Sequence, residues 1–360
     1  MNLGSIQNPT VDEPCDVCGA AGTFVTDVRV SVAGRFAADI RACTACGFRQ
    51  IRPRPAPAVL ADCYDDTYFL TDAPGNLREY VRQRHRHHRQ AYFLARDLRA
   101  WRPRGRLLEI GCALGFLLEG LQRHLDWRLE GLDISPFAAH FAARELGLDV
   151  RAATLPAAAY PDETFDFVVQ KDLVEHVSRP REHLLETRRV LKRGGRTWLV
   201  VPNSEAHLRP LRQRAAERPA DEPDLLPLLT QPHVSFFNRA NLLRLFADCG
   251  FRVLRLRSVG IKRGWRLLGW LPAKRRPPLV AAAPAAAPST PAVAAASDGI
   301  GEAVLRDHAR RLAARLAEVA PDRPPRRLYD RWRRLMTELD TLPARLPWGV
   351  DFECLLERRD

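Results

Sequence analysis

The chain has 360 residues, with Lys+Arg 56 against Asp+Glu 43 and a formal net charge of +13, enough length for about two domains with a self-sufficient core. No run of about 18 apolar residues occurs, so no transmembrane helix is expected. Met1 to Val11 lacks a basic start followed by an apolar stretch, which excludes a secretory signal and points to a soluble, cytoplasmic protein.

Residues 1–10 read as a tail. Residues 11–57 hold two pairs, Cys15-x2-Cys18 and Cys43-x2-Cys46, around a short β-rich stretch, and each pair precedes a glycine, Gly19 or Gly47. Two such knuckles can close on one tetrahedral ion, so Cys15, Cys18, Cys43 and Cys46 are expected to bind a structural Zn2+. Four thiolates leave no open position for water, which makes this module a scaffold and not a catalyst. Cys63, Cys112, Cys249 and Cys354 are scattered and read as buried apolar residues. The run IRPRPAP (51–57) ends the module.

Residues 58–101 form a connector and a basic helix over 76–101, with Leu77, Tyr80, Val81, Phe93 and Leu94 as its apolar positions. Its middle is too polar for a core helix, and the run Arg84 to His88 reads as a solvated face. The alternative is that Tyr80 or one of the arginines reaches a ligand carboxylate.

Residues 102–260 alternate strand and helix. RLLEI (106–110) is a strand, Gly111–Gly115 a turn and FLLEGLQRHL (116–125) a helix. RLEGLD (128–133) is the second strand, followed by a helix over 136–146 with Pro136 in its first turn and Gly147 after its end. Val150–Ala152 and FDFVVQ (165–170) are the third and fourth strands. A helix over 180–191 is closed by Gly194–Gly195, and RTWLVV (196–201) is the fifth strand. Asn238 caps a helix that Gly250 ends, and FRVLRLRS (251–258) is the sixth strand. Repeated βα units imply a mostly parallel sheet covered on both faces. Residues 261–350 break this pattern with a Pro/Ala-rich tether (272–297) and two amphipathic helical stretches, about 301–319 and 326–341. DFECLLE, within 351–360, reads as a seventh strand returning beside the sixth.

The turn Glu109-Ile-Gly111-Cys-Ala113-Leu-Gly115 follows the first strand. Its small residues allow close approach of a ligand to backbone and to the helix N-terminus. It is neither a G-x-G-x-x-G fingerprint nor a P-loop. Asp133 ends the second strand, where a carboxylate can accept hydrogen bonds from both hydroxyls of a ribose. The alternative is a plain βαβ turn in which Asp133 caps the next helix.

Here the sequence resembles the class I S-adenosylmethionine-dependent methyltransferases, in the branch that includes ubiquinone-type O-methyltransferases. The resemblance runs through LLEIGCALG, GLDISP, TLPAAAYPDETFDFVVQKDLVEHV, RRVLKRGGRTWLVVPN and HVSFFNRANLLRLFADCGFRV. It implies a Rossmann-like α/β fold with a seven-stranded sheet, the last strand antiparallel, behind the small zinc-knuckle module. It also implies S-adenosyl-L-methionine as cofactor. By motif position, Glu109, Gly111, Ala113 and Gly115 would line the methionine moiety, Asp133 the ribose, Ile134 the adenine, and Thr154 and Leu155 the adenine edge. Ala113 stands where the family usually has Gly, and Pro156 where many relatives carry an acid.

Methyl transfer to a hydroxyl is an in-line displacement helped by a base. After the fourth strand, Asp172, Glu175 and His176 have i, i+3, i+4 spacing, one helix face, and His176 is the first candidate base. The resembling D/E-x-x-E-H stretch also implies a divalent cation at Asp172/Glu175/His176. The alternative is a capping Asp172 and a packed His176. His233, in QPHVSFFN, is the second candidate for base or acceptor contact, against a role as a loop tether. Asn203, after the fifth strand, is placed to line the acceptor pocket.

The expected acceptor is a small or carrier-linked molecule, anionic if the positive charge is functional and not the Arg bias of a GC-rich genome. Only Lys171, Lys192, Lys262 and Lys274 are lysines. Alternatives are sugar C-methylation, RNA or protein methylation through the zinc module and basic surface, and a non-enzymatic cofactor-binding module. Nucleic acid is disfavoured because the fourth strand ends Gln-Lys-Asp-Leu, not in the Asn/Asp-Pro-Pro-aromatic run of amino-base methylation.

Overall fold

The computed structural model describes residues 13–32, 36–56, 59–60, 64, 77–206, 208–209, 226–228, 233–259 and 351–359. The tail 1–10, Cys63 and the 261–350 insertion with its tether and helices lie outside the described residues, as does the side chain of Tyr80.

The elements are β1 (Phe24–Val32), β2 (Phe36–Cys43), β3 (Arg49–Arg52), α1 (Leu77–Trp101), β4 (Arg106–Ile110), α2 (Phe116–Gln122), β5 (Arg128–Asp133), α3 (Pro136–Glu145), β6 (Val150–Ala152) and β7 (Phe165–Lys171). A 3-10 turn follows at Val174–His176, then α4 (Pro180–Val190), β8 (Leu191–Pro202), β9 (Leu226–Leu228), β10 (Ser235–Phe236), α5 (Arg239–Asp248), β11 (Phe251–Val259) and β12 (Asp351–Arg358).

The main sheet has seven strands in the order β11-β12-β8-β7-β4-β5-β6. All neighbours are parallel except around β12, which runs antiparallel to both β8 and β11. The expected α/β sheet with an antiparallel last strand is therefore present. β4 and β7 are buried along nearly their whole length, as strands covered on both faces must be. The chain leaves β4 toward β5 and β6, then returns to β7 on the other side. Ligands bind beyond the strand ends at such a reversal point.

The predicted helix stop at Gly194–Gly195 is a different structure. α4 ends at Val190 and β8 begins at once at Leu191, so both glycines lie inside a strand. Gly194 has φ +66, and a Cβ on Gly195 would stand 2.7 Å from the Lys192 carbonyl oxygen. The glycines accommodate an irregularity where the β7–β8 register shifts.

β1, β2 and β3 form an antiparallel sheet that β10 and β9 extend at either edge, giving the order β10-β3-β2-β1-β9. The cysteine module is thus completed by two short strands from the connection between β8 and α5. Cys15, Val17, Cys43 and Phe48 share one buried cluster with Leu108, Ile110, Phe237 and Phe352 of the main core. The Phe48 and Phe237 rings are 5.3 Å apart. Arg181 donates to the carbonyls of Asp16 and Val17 at 2.6 and 2.9 Å, and Asn241 donates to that of Cys46 at 2.9 Å.

α1 packs on α2, with Ala91, Ala95 and Leu98 against Leu117 and Leu121. A Cβ on Gly120 would lie 2.6 Å from Ala91 Cβ, so the glycine permits the close approach. The Arg84–His88 run is only partly a solvated face. Arg84 and His88 turn inward onto buried Glu119, which also accepts from Arg123, while His85 and Arg86 are exposed. Glu119 is held at about pH 2: burial raises it, but His88 and Arg84 outweigh burial. A cavity of about 500 Å³ lies between α1 and the sheet, lined by Trp101, Phe167, Trp198 and Arg257, and it lies away from the strand ends described next.

Candidate active site

The turn after β4 is held by its own backbone. Gly111 N–H and Cys112 N–H both donate to the Leu132 carbonyl, at 2.8 and 3.0 Å, tying the turn to the end of β5. Gly111, Ala113 and Gly115 all have positive φ, at 72°, 48° and 79°. Ala113 therefore adopts a left-handed conformation that glycine would adopt without a Cβ penalty, which costs roughly 1–2 kcal/mol. Its N–H donates to Asp133 Oδ2 at 2.7 Å, and this charge-assisted bond offsets the cost.

Asp133 also accepts from Ser135 N–H at 2.9 Å through Oδ1. Each oxygen keeps acceptor capacity beyond its backbone bond. Burial pushes the Asp133 carboxyl above the usual carboxylate range, against the pull of the Ser135, Ala113 and Ile134 N–H groups. Asp133 does not cap α3: Ser135 does, its hydroxyl accepting from Ala138 N–H at 3.3 Å. Next to Asp133, Ile134 is 39 % exposed, an apolar side chain presented at the strand ends.

Glu109, at the carboxyl end of β4, is buried, and its Oε2 has no hydrogen-bond partner. Burial pushes its pKa up to about 8, with Lys171 pulling the other way. A buried acceptor without a donor is costly, and a ligand ammonium would satisfy it. Beyond β6, Thr154 is exposed and its Oγ1 accepts from Ala157 N–H at 3.3 Å. Leu155 turns into the main core, so its side chain is placed for packing.

The second half of the site departs from the expected helix face. Asp172 has φ +53 and lies before the 3-10 turn, not in it. Its carboxylate is 2.7 Å from Lys171 Nζ. The lysine draws its pKa down despite burial, which acts in the opposite direction. The group brought together is Glu175, His176 and His233, whose ligand-capable atoms all lie within 4.8 Å of one another. The His176 and His233 rings stand 4.8 Å apart, edge to face, and Val234 N–H donates to the Glu175 carbonyl at 2.8 Å. His233 thus takes the place that spacing alone gave to Asp172. Both carboxylate oxygens of Glu175 are buried with no hydrogen-bond partner. Burial, reinforced by Asp172, pushes the Glu175 carboxyl well above its usual range. His176 Nε2 is 3.8 Å from Oε1.

Tyr64, from the connector, reaches His176: its phenol oxygen is 2.8 Å from Nδ1. A base at His176 Nε2 requires that Nδ1–H donate to this oxygen, because a phenol proton on Nδ1 would leave Nε2 protonated. Asn203 is buried at the end of β8 and bridges to Phe237, and its Oδ1 accepts from Glu205 N–H at 3.2 Å. Nothing in the sequence signals Tyr64 or Lys171, since each acts through a partner distant in sequence or through an unusual backbone angle.

The four expected metal ligands converge. Cys15 and Cys46 sulfurs are 3.7 Å apart, Cys18 and Cys43 sulfurs 3.6 Å, and all four lie within 4.8 Å. Zinc bound at about 2.3 Å by four thiolates sets their spacing near 3.8 Å, so the donor set fits. Burial pushes Cys46 up to about 11, whereas at Cys43 the Thr23 hydroxyl and backbone N–H groups overcome burial and bring it to about 7. A shared dication is the partner that lets such closely packed thiols all ionise.

The chain is similar to known methyltransferases. Residues 82–256 match the family model described as a methyltransferase domain. The Ubiquinone biosynthesis O-methyltransferase of Parvibaculum lavamentivorans is 34% identical over 131 residues, which cover 34% of this chain and 49% of that protein. The protein of the same name from Cereibacter sphaeroides (strain KD131) is 39% identical over 95 residues, covering 25% of this chain and 38% of that protein. The chain thus spans about half the length of these curated relatives, or less. A SAM-dependent methyltransferase from Methanosarcina mazei is 23% identical, with a TM-score of 0.37, covering 44% of this chain and 85% of that chain. The stretch similar to a methyltransferase domain runs from within α1 to within β11, and β12 supplies the antiparallel strand of the seven-stranded sheet.

Proposed function

We propose that this protein transfers a methyl group from S-adenosyl-L-methionine to a hydroxyl of a small-molecule or carrier-linked acceptor. The observation that carries the reading is the pair Glu109 and Asp133 at adjacent strand ends. One carboxylate oxygen is buried without a donor, and the other carboxylate is clamped by Ala113 and Ser135 N–H groups beside exposed Ile134. Glu109 would face the amino group of the methionine moiety, Asp133 the ribose hydroxyls and Ile134 the adenine. The cofactor supplies an activated methyl when bound. The similar proteins of Parvibaculum lavamentivorans and Cereibacter sphaeroides are named O-methyltransferases, which supports oxygen as the methylated atom.

The protein's own part is to hold the acceptor in line and remove its proton. His176 and His233 are the proposed bases. Tyr64 orients His176 through Nδ1, so that Nε2 can take the hydroxyl proton, and Glu175 Oε1 lies 3.8 Å from that nitrogen. The buried, unpartnered Glu175 carboxylate favours a second reading of the same cluster, in which Glu175, His176 and His233 hold a divalent cation. One carboxylate and two imidazoles are a donor set that transition metals accept. The four cysteines would hold structural zinc.

Calorimetry with S-adenosylmethionine, followed by labelled-methyl transfer to a panel of phenols, catechols, amines and carbon acids, tests the proposal. Binding with label on a hydroxyl acceptor is the expected result. Label only on nitrogen or carbon would overturn the acceptor assignment, and no binding would overturn the reading altogether.

A further inference from the structure

Among the described residues, the Gln50 side chain, fully inaccessible to solvent, joins the cysteine module to the candidate catalytic segments. Its Nε2 lies 2.9 Å from the Ser178 carbonyl oxygen, 3.3 Å from Ser235 Oγ and 3.4 Å from Asp16 Oδ2. Ser178 is two residues beyond His176, and Ser235 two beyond His233. Asp16 lies between the zinc-ligand candidates Cys15 and Cys18. Arg54 Nε donates to Gln50 Oε1 at 3.2 Å, which fixes the end of the amide that faces the catalytic segments.

The backbone repeats the arrangement. Ser235 is the register partner of Gln50, and Ile51 N–H donates to the Val234 carbonyl at 2.9 Å. Val234 in turn donates to Glu175, and Ser235 Oγ donates to the Val177 carbonyl at 3.3 Å. β3 therefore lies against the His233 segment, and the His233 segment lies against the His176 segment. An amide with two N–H groups is shared among acceptors on three chain segments that are far apart in sequence. Such a buried node is costly to leave half-satisfied and fixes its neighbours to one geometry.

We propose that Gln50 is a positioning residue for the reaction: it joins the cysteine module to the His176 and His233 segments and sets the mutual placement of the two imidazoles. This inference rests on the reading of His176 and His233 as the reacting pair. It also gives the module a function beyond stability, because a knuckle outside the cofactor turn would control the geometry of the proton-accepting groups.

The test is ring carbon–proton NMR of histidine-labelled full-length protein, loaded with zinc and S-adenosylhomocysteine. Gln50→Met removes the amide at similar volume, and Ser235→Ala removes the hydroxyl on the opposite side of the contact. In each variant the His176 and His233 ring signals should move by more than a line width. His140, outside this network on α3, should not move. Zinc content should match wild type, and S-adenosylhomocysteine affinity should stay within about twofold. Unmoved His176 and His233 signals in the folded variants would overturn the proposal. So would movement accompanied by loss of zinc or of S-adenosylhomocysteine binding, or failure of both variants to fold, since each assigns Gln50 to folding alone. The ring signals report position whether or not an acceptor is methylated, so a failed transfer assay leaves this test intact.

Discussion

Asp133→Asn separates a ligand-binding strand end from a merely structural one. In the wild type, Oδ2 accepts from Ala113 N–H at 2.7 Å and Oδ1 from Ser135 N–H at 2.9 Å, leaving both oxygens able to accept a ribose hydroxyl. Asparagine keeps one acceptor and turns the other into a donor that meets an N–H or a hydroxyl already oriented to donate. Hydrogen bonds to a charged group contribute about 1.5–3 kcal/mol each. Losing one from the ribose and weakening the clamp on Ala113 should together cost about 3 kcal/mol of cofactor affinity, a rise in Kd on the order of 150-fold. The apo protein should lose less, because the substitution also relieves the burial that raises the Asp133 carboxyl. Calorimetry with S-adenosylhomocysteine gives the first quantity, and urea unfolding without it gives the second. A Kd within about threefold of wild type, alongside a clear loss of stability, would show Asp133 to be a turn clamp only and refute the assignment.

His176→Gln and His233→Gln should each lower kcat by roughly 10²–10⁴ with cofactor affinity unchanged, if the pair takes the acceptor proton; equal losses of cofactor binding, measured by calorimetry, would count against that role. Cys18→Ser should abolish stoichiometric zinc in elemental analysis and lower Tm, because the ligand loop shares the main core. Glu119→Gln should cost about 3 kcal/mol at neutral pH by leaving Arg84 and His88 without their anionic partner. Glu119 is held at about pH 2 in the folded protein, so its contribution is full above its unfolded pKa near 4.3 and fades as pH falls toward 2. Wild type and variant should therefore converge in acid denaturation below that range; curves that stay parallel would contradict the ion-pair account.

What could be read from the chain was local. The turn from Glu109 to Gly115 and the acid at Asp133 are contiguous motifs, and their conformation follows from small residues and strand ends. The two CxxC pairs are likewise complete in sequence. Asp172 was misplaced because its left-handed backbone breaks the helical period on which i, i+3, i+4 reasoning depends. The partners that finish the site come from elsewhere: Tyr64 is 112 residues from His176, and Gln50 is 128 from Ser178. The inward half of the basic run was illegible for the same reason, since Glu119 is 35 residues from Arg84. Gly194 and Gly195 read as a helix stop because glycine marks both helix ends and strand irregularities, and only the partner strand distinguishes the two.

The pairing of β11 with β12 has an evolutionary corollary. Val259 and Asp351 are register partners, so the chain departs from the edge strand β11 and returns on its neighbour β12, in the sheet that carries Asp133. Among the described residues, the ladder of this sheet runs from β11 to β6 with no strand from the joining segment. A joint between such neighbouring strand ends could change in length without altering the β11–β12 register, and Asp351, where the chain returns, lies near Glu175 of the proposed site. The fold thus separates what must be inherited intact from what is free to diversify, and an engineer could graft recognition segments at the same two residues.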